Sequence, residues 1–256
     1  VTSLLLAALS ALFAGALSGA FGIGGGVVLV PLLGLILGLD QHDAQGVTLA
    51  ILLLPIGATA VVAYHRAGAV RWRLVPPLIA GFLVGVGVGS LGANALPERA
   101  LRLAFVLFLV YVAIRNLLPS AGSTPPRVPE SPRTMAWHAV WIGAGGGVAS
   151  GLLGVGGAVV MIPLLVAIAG LSQHEAQGTS LATMLPPIGL PGVLVYAHAQ
   201  GGLPWAVMAW VAAGFLVGGS LGARLAVRTP GPRLVRGFAL FQLSVAAILL
   251  WRVVRG

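Results

Sequence analysis

The sequence predicts an all-α polytopic membrane protein of two homologous repeats in inverted orientation, with about eight to ten transmembrane or re-entrant helices. Three observations carry this. Of the 256 residues, 58% are hydrophobic and 7% charged, whereas soluble domains carry about 25% charged residues. Apolar runs recur along the chain, and several approach the roughly 20 residues that cross a bilayer. The second half of the chain rewrites the first.

Residues 4–21, 47–63, 74–96, 101–118, 207–227 and 238–254 are the runs expected to be helices. They do not alternate polar and apolar positions, which argues against a β-barrel. The first run has no basic region before it and no small-residue cleavage site, so it is expected to be a first helix and not a signal peptide.

The repeat is read from ordered matches. "SGAFGIGGGVVLVP" (18–31) returns as "SGLLGVGGAVVMIP" (150–163), an offset of 132 residues. At that offset "DQHDAQGVTLA" (40–50) meets "SQHEAQGTSLA" (172–182), and Pro55, Gly57 and Tyr64 meet Pro187, Gly189 and Tyr196. "GFLVGVGVGSLGA" from Gly81 is echoed by "GFLVGGSLGA" from Gly214. Between the halves, residues 119–133 contain five prolines and read as a surface linker. The expected units are therefore residues 1–118, linker 119–133 and residues 134–256.

Residues 4–39 would make a helix of about 54 Å, too long for one crossing of a core about 30 Å thick. A turn at the glycine cluster makes this stretch a hairpin. Each half then has five apolar segments, and two odd halves insert in opposite senses. On that arrangement Arg66, Arg71, Arg73, Arg115, Arg127, Arg133, Arg224, Arg228, Arg233 and Arg236 share one side. Only Arg99, Arg102, Arg252 and Arg255 share the other, so the first side is expected to be cytoplasmic. Both termini then lie outside the cytoplasm.

The net charge of +9 comes entirely from arginine against five acids. The arginines sit at the ends of apolar runs, as topology requires, and not on a soluble face as nucleic-acid binding would need. The chain has no cysteine, hence no disulfide or thiolate chemistry. It has no lysine for a Walker loop and no HExxH, and "GIGGGV" lacks the third glycine of a dinucleotide loop. The chain is read as a non-enzyme with no catalytic residues, no metal and no cofactor.

Polar groups at membrane depth are costly and mark pathways. The first candidates are Gly24, Gly25, Gly26, Gly156 and Gly157, at turns from which a new helix starts. A helix start offers free N–H groups and the positive end of its dipole to an anion. A tight turn or close packing is the alternative use of the same glycines. The second candidates are Gln45, Thr48, Gln177, Thr179 and Ser180, in the first turns of otherwise apolar helices that Asp40 and Ser172 would cap. They could hydrogen-bond a substrate's oxygens. His42 and His174 are proton-linked candidates with a capping or interfacial role as the alternative. Asp43 and Glu175 read as solvated helix starts, and Tyr64, His65, Tyr196 and His198 as interfacial anchors. Trp72, Trp137, Trp141 and Trp205 read in the same way. Glycines four apart (Gly81, Gly85, Gly89; Gly214, Gly218, Gly222), with Gly15 and Gly19, read as close helix packing. Pro55, Pro186, Pro187 and Pro191 are expected to kink helices.

The two copies of glycine cluster, apolar run and proline, each followed by a QHxAQG-type segment and a GFLVG-type helix, resemble the TauE/SafE family of sulfite and organosulfur exporters. The likeness spans nearly the whole chain. It implies two homologous membrane repeats in a bacterial inner-membrane, multi-pass transporter. It also implies a sulfur-containing anion such as sulfite, sulfoacetate or a related sulfonate as substrate. The expected partners are that small anion and the lipid bilayer, with room for a homo-oligomer and none for nucleic acid. The first copy reads QGVT and the second QGTS, so the halves need not touch the substrate equally.

Overall fold

The computed structural model describes residues 2–21, 26–53, 58–118, 131–200, 205–226 and 231–255. Among them the structure is all helical. The first half holds α1 (Thr2–Phe21), α2 (Gly26–Ile36), α3 (Gln41–Ile51), α4 (Ala58–Arg66), α5 (Val75–Ala95, entered through a 3-10 turn at Trp72–Leu74) and α6 (Glu98–Leu117). The second half holds α7 (Pro132–Leu153), α8 (Ala158–Ala167), α9 (Gln173–Thr183), α10 (Leu190–Ala199), α11 (Trp205–Ala226) and α12 (Gly231–Arg255). Helix α7 starts inside the expected linker, because Ser131 caps it and Pro132 is tolerated in the first turn. The rest of the linker, 119–130, lies outside the described residues, as do Pro55 and Gly57.

Two expectations about the helices change. The run 47–63 is not one helix, since α3 ends at Ile51 and α4 begins at Ala58. Its counterpart is broken as well: α9 ends at Thr183 and α10 begins at Leu190. Pro186 and Pro187 lie in that break, not in a kinked helix. Two successive residues without N–H cannot continue the helical ladder, and the residue before each is driven from helical geometry. Pro191 sits in the first turn of α10, where it is harmless.

The glycine turn is a true reversal. After Gly154–Gly157, α8 comes back against α7, so that Gly146 faces Gly157 and Met161, and Gly145 faces Leu164. A helix that merely broke and carried on would not touch α7 two turns before its end.

The long helices pair through glycine. A methyl group at Gly81, Gly85 or Gly89 of α5 would collide with backbone of Val140, Ala144 or Val148 of α7. Gly143, Gly147 and Gly151 of α7 meet the backbone of Leu78, Phe82 and Val86 in return. Residue numbers rise together on both helices, so they run parallel. Gly214 and Gly218 of α11 meet Ala8 and Leu12 of α1, and Gly15 of α1 meets Phe215, again parallel. Small residues thus let backbones touch, as expected for helix pairs in lipid. Gly19 and Gly222 lie outside the residues whose surroundings are described. Helices α6 and α12 pack on each other.

One apolar cluster surrounds α2, whose residues Gly26 to Leu33 are all buried, with α1, α3, α6, α11 and α12 around it. A second lies among α5, α7, α8, α9 and α10. The outside is apolar as well: Leu107, Val84 and Trp205 are 69%, 67% and 69% exposed. So many bare apolar side chains suit a lipid surround and not water. Trp137 and Trp141 also face outward. Among the described residues, one helical stretch, Trp72–Ala95, is by itself long and apolar enough to cross a bilayer.

Candidate functional site

The turn between α7 and α8 explains its glycine spacing. Gly154 takes a left-handed conformation (φ 68°) and closes α7 with its N–H on the Ser150 carbonyl at 2.7 Å. Gly156 is left-handed too (φ 72°). Gly157 has no room for a side chain, because the Phe82 ring and the Gly146 carbonyl occupy it.

This turn lies directly on the start of α2. Gly26, the first residue of that helix, is pressed against the Gly154 carbonyl and Val155. Gln45 of α3 covers Gly154, while Leu52 and Met184 close over Gly156. The structure therefore brings Gly26, Gly154, Gly156 and Gln45 together. Gly24 and Gly25 lie outside the described residues.

Helices α3 and α9 begin as their caps dictate. Asp40 accepts the N–H of Asp43 at 2.7 Å. Ser172 and Glu175 form a reciprocal capping box, at 3.3 Å and 2.8 Å. Glu175 is not solvated: it is buried and ion-paired with Arg71, which arrives from the connection between α4 and α5. The Arg71 N–H also donates to Thr179 at 3.0 Å. His42 Nε2 lies 3.1 Å from the Ala93 carbonyl at the end of α5, whereas His174 is exposed. The two histidines thus sit in unlike surroundings.

Below the caps lie the buried amides and hydroxyls. Gln45 is fully buried, and its Oε1 accepts from the Tyr196 hydroxyl of α10 at 2.6 Å. The Tyr196 oxygen is also 2.9 Å from the Gly151 carbonyl. Gln177 of α9 accepts from the Tyr64 hydroxyl of α4 at 3.0 Å. Thr48 donates back to the Ala44 carbonyl of its own helix at 2.7 Å, so its proton is already used. Ser180 Oγ, Gln45 Nε2 and Gln41 Nε2 are buried with no hydrogen-bond partner among the described residues. No group of three or more metal-binding side chains exists among them.

Two participants escaped the sequence reading. Tyr196 is not an interfacial anchor but fully buried, and Tyr64 is half-buried and bonded inward. Their signal was present: they match each other at the 132-residue offset, as Gln45 matches Gln177. Arg71 has no such echo, since position 203 is leucine.

Broken helices meeting inside an apolar bundle, with neutral polar groups gathered there, are an arrangement that membrane transporters use. The chain belongs to the sulfite exporter TauE/SafE family, whose profile matches residues 7–249. It is 28% identical to a Haemophilus influenzae protein named "Probable membrane transporter protein", over 96% of this chain and 97% of that one. A Xylella fastidiosa protein of the same name is 27% identical over 91% and 90%. A Sinorhizobium fredii relative, also named a probable membrane transporter, is 31% identical over 69% and 72%.

Proposed function

We propose that this chain is a secondary transporter for a small sulfur-containing anion (sulfite, sulfoacetate or a related sulfonate) in the bacterial inner membrane. As a multi-pass protein it works by alternating access at a central site between two inverted repeats, residues 1–118 and 134–256. The observation that carries the reading is the contact of the α7–α8 glycine turn with the first residue of α2. Helix starts so placed offer uncovered N–H groups and dipole ends to one anion.

The packing supports the repeat. Shifting numbers by 132 turns α1, α3, α4 and α5 into α7, α9, α10 and α11. The pair α1–α11 then becomes α7–α5, and α3–α10 becomes α9–α4, each of which is packed. Inversion is supported by direction. Along α3, Gln45 and Leu49 meet Tyr196 and Gly192 of α10, so the two run antiparallel. Repeats of one orientation would run these two halves of equivalent segments the same way.

The test is sulfite and sulfoacetate flux in liposomes. Saturation and trans-stimulation are expected, with Gln45→Ala raising the KM for sulfite in protein that still inserts and elutes as a single species. Flux that neither saturates nor exchanges would mean an anion channel. No flux of any sulfur oxyanion would sink the reading.

A further inference from the structure

We propose that Tyr196 and Tyr64 are positioning residues of the anion site. Each holds a glutamine of the opposite half so that its amide NH2, and not its carbonyl, is presented to the anion. This rests on the anion-transporter reading above and adds two side chains to it.

A phenol carries one proton, and a primary amide offers one acceptor oxygen and two N–H donors. The Tyr196 to Gln45 separation of 2.6 Å is that of an O–H···O bond and shorter than the usual N–H···O range of about 2.7–3.2 Å. The structure places the amide oxygen toward the phenol, with the NH2 turned away from it. That NH2 has no acceptor among the described residues, although Gln45 is 0% exposed. Leaving buried donors unpaired is costly, so such groups call for an explanation. An anion supplies the missing acceptor.

A second observation points the same way. Gln41 lies four residues before Gln45, on the same face of α3, and its NH2 is also buried without a partner. One helix thus carries two successive NH2 donors with no acceptor among the described residues.

The arrangement occurs twice, and it crosses the halves both times. Tyr196 and Gln45 are 151 residues apart, Tyr64 and Gln177 are 113 apart, and in each pair the phenol and the amide come from different halves. The pairs are unequal. Tyr196 and Gln45 are fully buried, and the Tyr196 proton lies between two acceptors, Gln45 Oε1 and the Gly151 carbonyl near the end of α7. Tyr64 and Gln177 are half-buried. The Tyr196 pair is therefore the more strictly oriented of the two.

The test compares wild type, Tyr196→Phe, Tyr64→Phe, Gln45→Ala and Gln45→Glu in liposomes, with sulfite as the probe. In parallel, the glutamine side-chain amides are 15N-labelled and followed by NMR during sulfite titration. Tyr196→Phe is expected to raise the KM for sulfite about tenfold with Vmax changed less than twofold. Tyr64→Phe should shift KM less. Gln45→Glu, which keeps the shape and replaces NH2 by oxygen, should abolish uptake. The Gln45 NH2 resonance, assigned by its loss in Gln45→Ala, should move with sulfite in wild type and not in Tyr196→Phe. Loss of Vmax with an unchanged KM in Tyr196→Phe would mean a structural role only and overturn the proposal. If Gln45→Ala raises KM and Tyr196→Phe does not, the positioning role fails while the anion site stands. If wild type moves no sulfur oxyanion, the transporter reading itself falls.

Discussion

Tyr196 on α10 and Gln45 on α3 are both fully buried and joined by a 2.6 Å hydrogen bond across 151 residues of chain. The bond ties the second half to the first at the place where the glycine turn meets α2. Removing the hydroxyl takes away the single proton that Gln45 Oε1 and the Gly151 carbonyl share. Tyr196→Phe should therefore lower stability by about 1–3 kcal/mol without ligand. Combining it with Gln45→Met should cost less than the sum of the two changes, with a coupling of about 0.5–3 kcal/mol. Denaturation of the four proteins in one detergent measures this, and strict additivity would contradict it.

The helix pairs make a prediction with an internal control. Gly85 of α5 touches the backbone of Ala144, whereas Gly92, on the same helix, faces open space. Gly92→Ala should be neutral or raise stability by up to about 1 kcal/mol through helix propensity. Gly85→Ala must push α7 away and should reduce the yield of folded protein sharply. Size-exclusion profiles of the two variants separate the cases.

A similar contrast tests the turn. Gly154 and Gly38 share a φ of 68°, but Gly154 is covered by Gln45 and Gly38 has nothing near it. Alanine at Gly38 should cost only the left-handed penalty of about 1–2 kcal/mol, and asparagine less. At Gly154 both should cost more, because the added atoms displace Gln45. Equal melting temperatures for the alanine variants would show that the contact does not matter.

Orientation is tested directly. With inverted repeats of five segments, the end at Gly256 lies opposite the face that holds Arg66, Arg71 and Arg73. A reporter active only in the cytoplasm should stay silent when fused after Gly256 and should work when placed beside Arg66. Activity at Gly256 would reverse the assignment.

The sequence by itself determined the all-helical class and the capped helix starts at Asp40 and Ser172. Composition reports solvent directly, since a chain with 7% charge cannot cover itself for water. Caps and glycines are local devices, so Asp40, Ser172, Gly154 and the Gly81–Gly85–Gly89 series were readable where they stand. Only the tertiary structure decided which helix meets which. The pairing of α5 with α7 and of α1 with α11 depends on contacts between distant segments. The roles of the polar groups followed from that. Tyr196 near a helix end looks like an anchor for the membrane surface until α3 is laid beside it. Thr48 looks like a donor until its proton is found on Ala44. Glu175 looks solvated until Arg71 arrives from another element. A side chain's type is written in the chain, but its partner is chosen by packing, because a buried polar group must find its hydrogen bond in whatever the fold brings near.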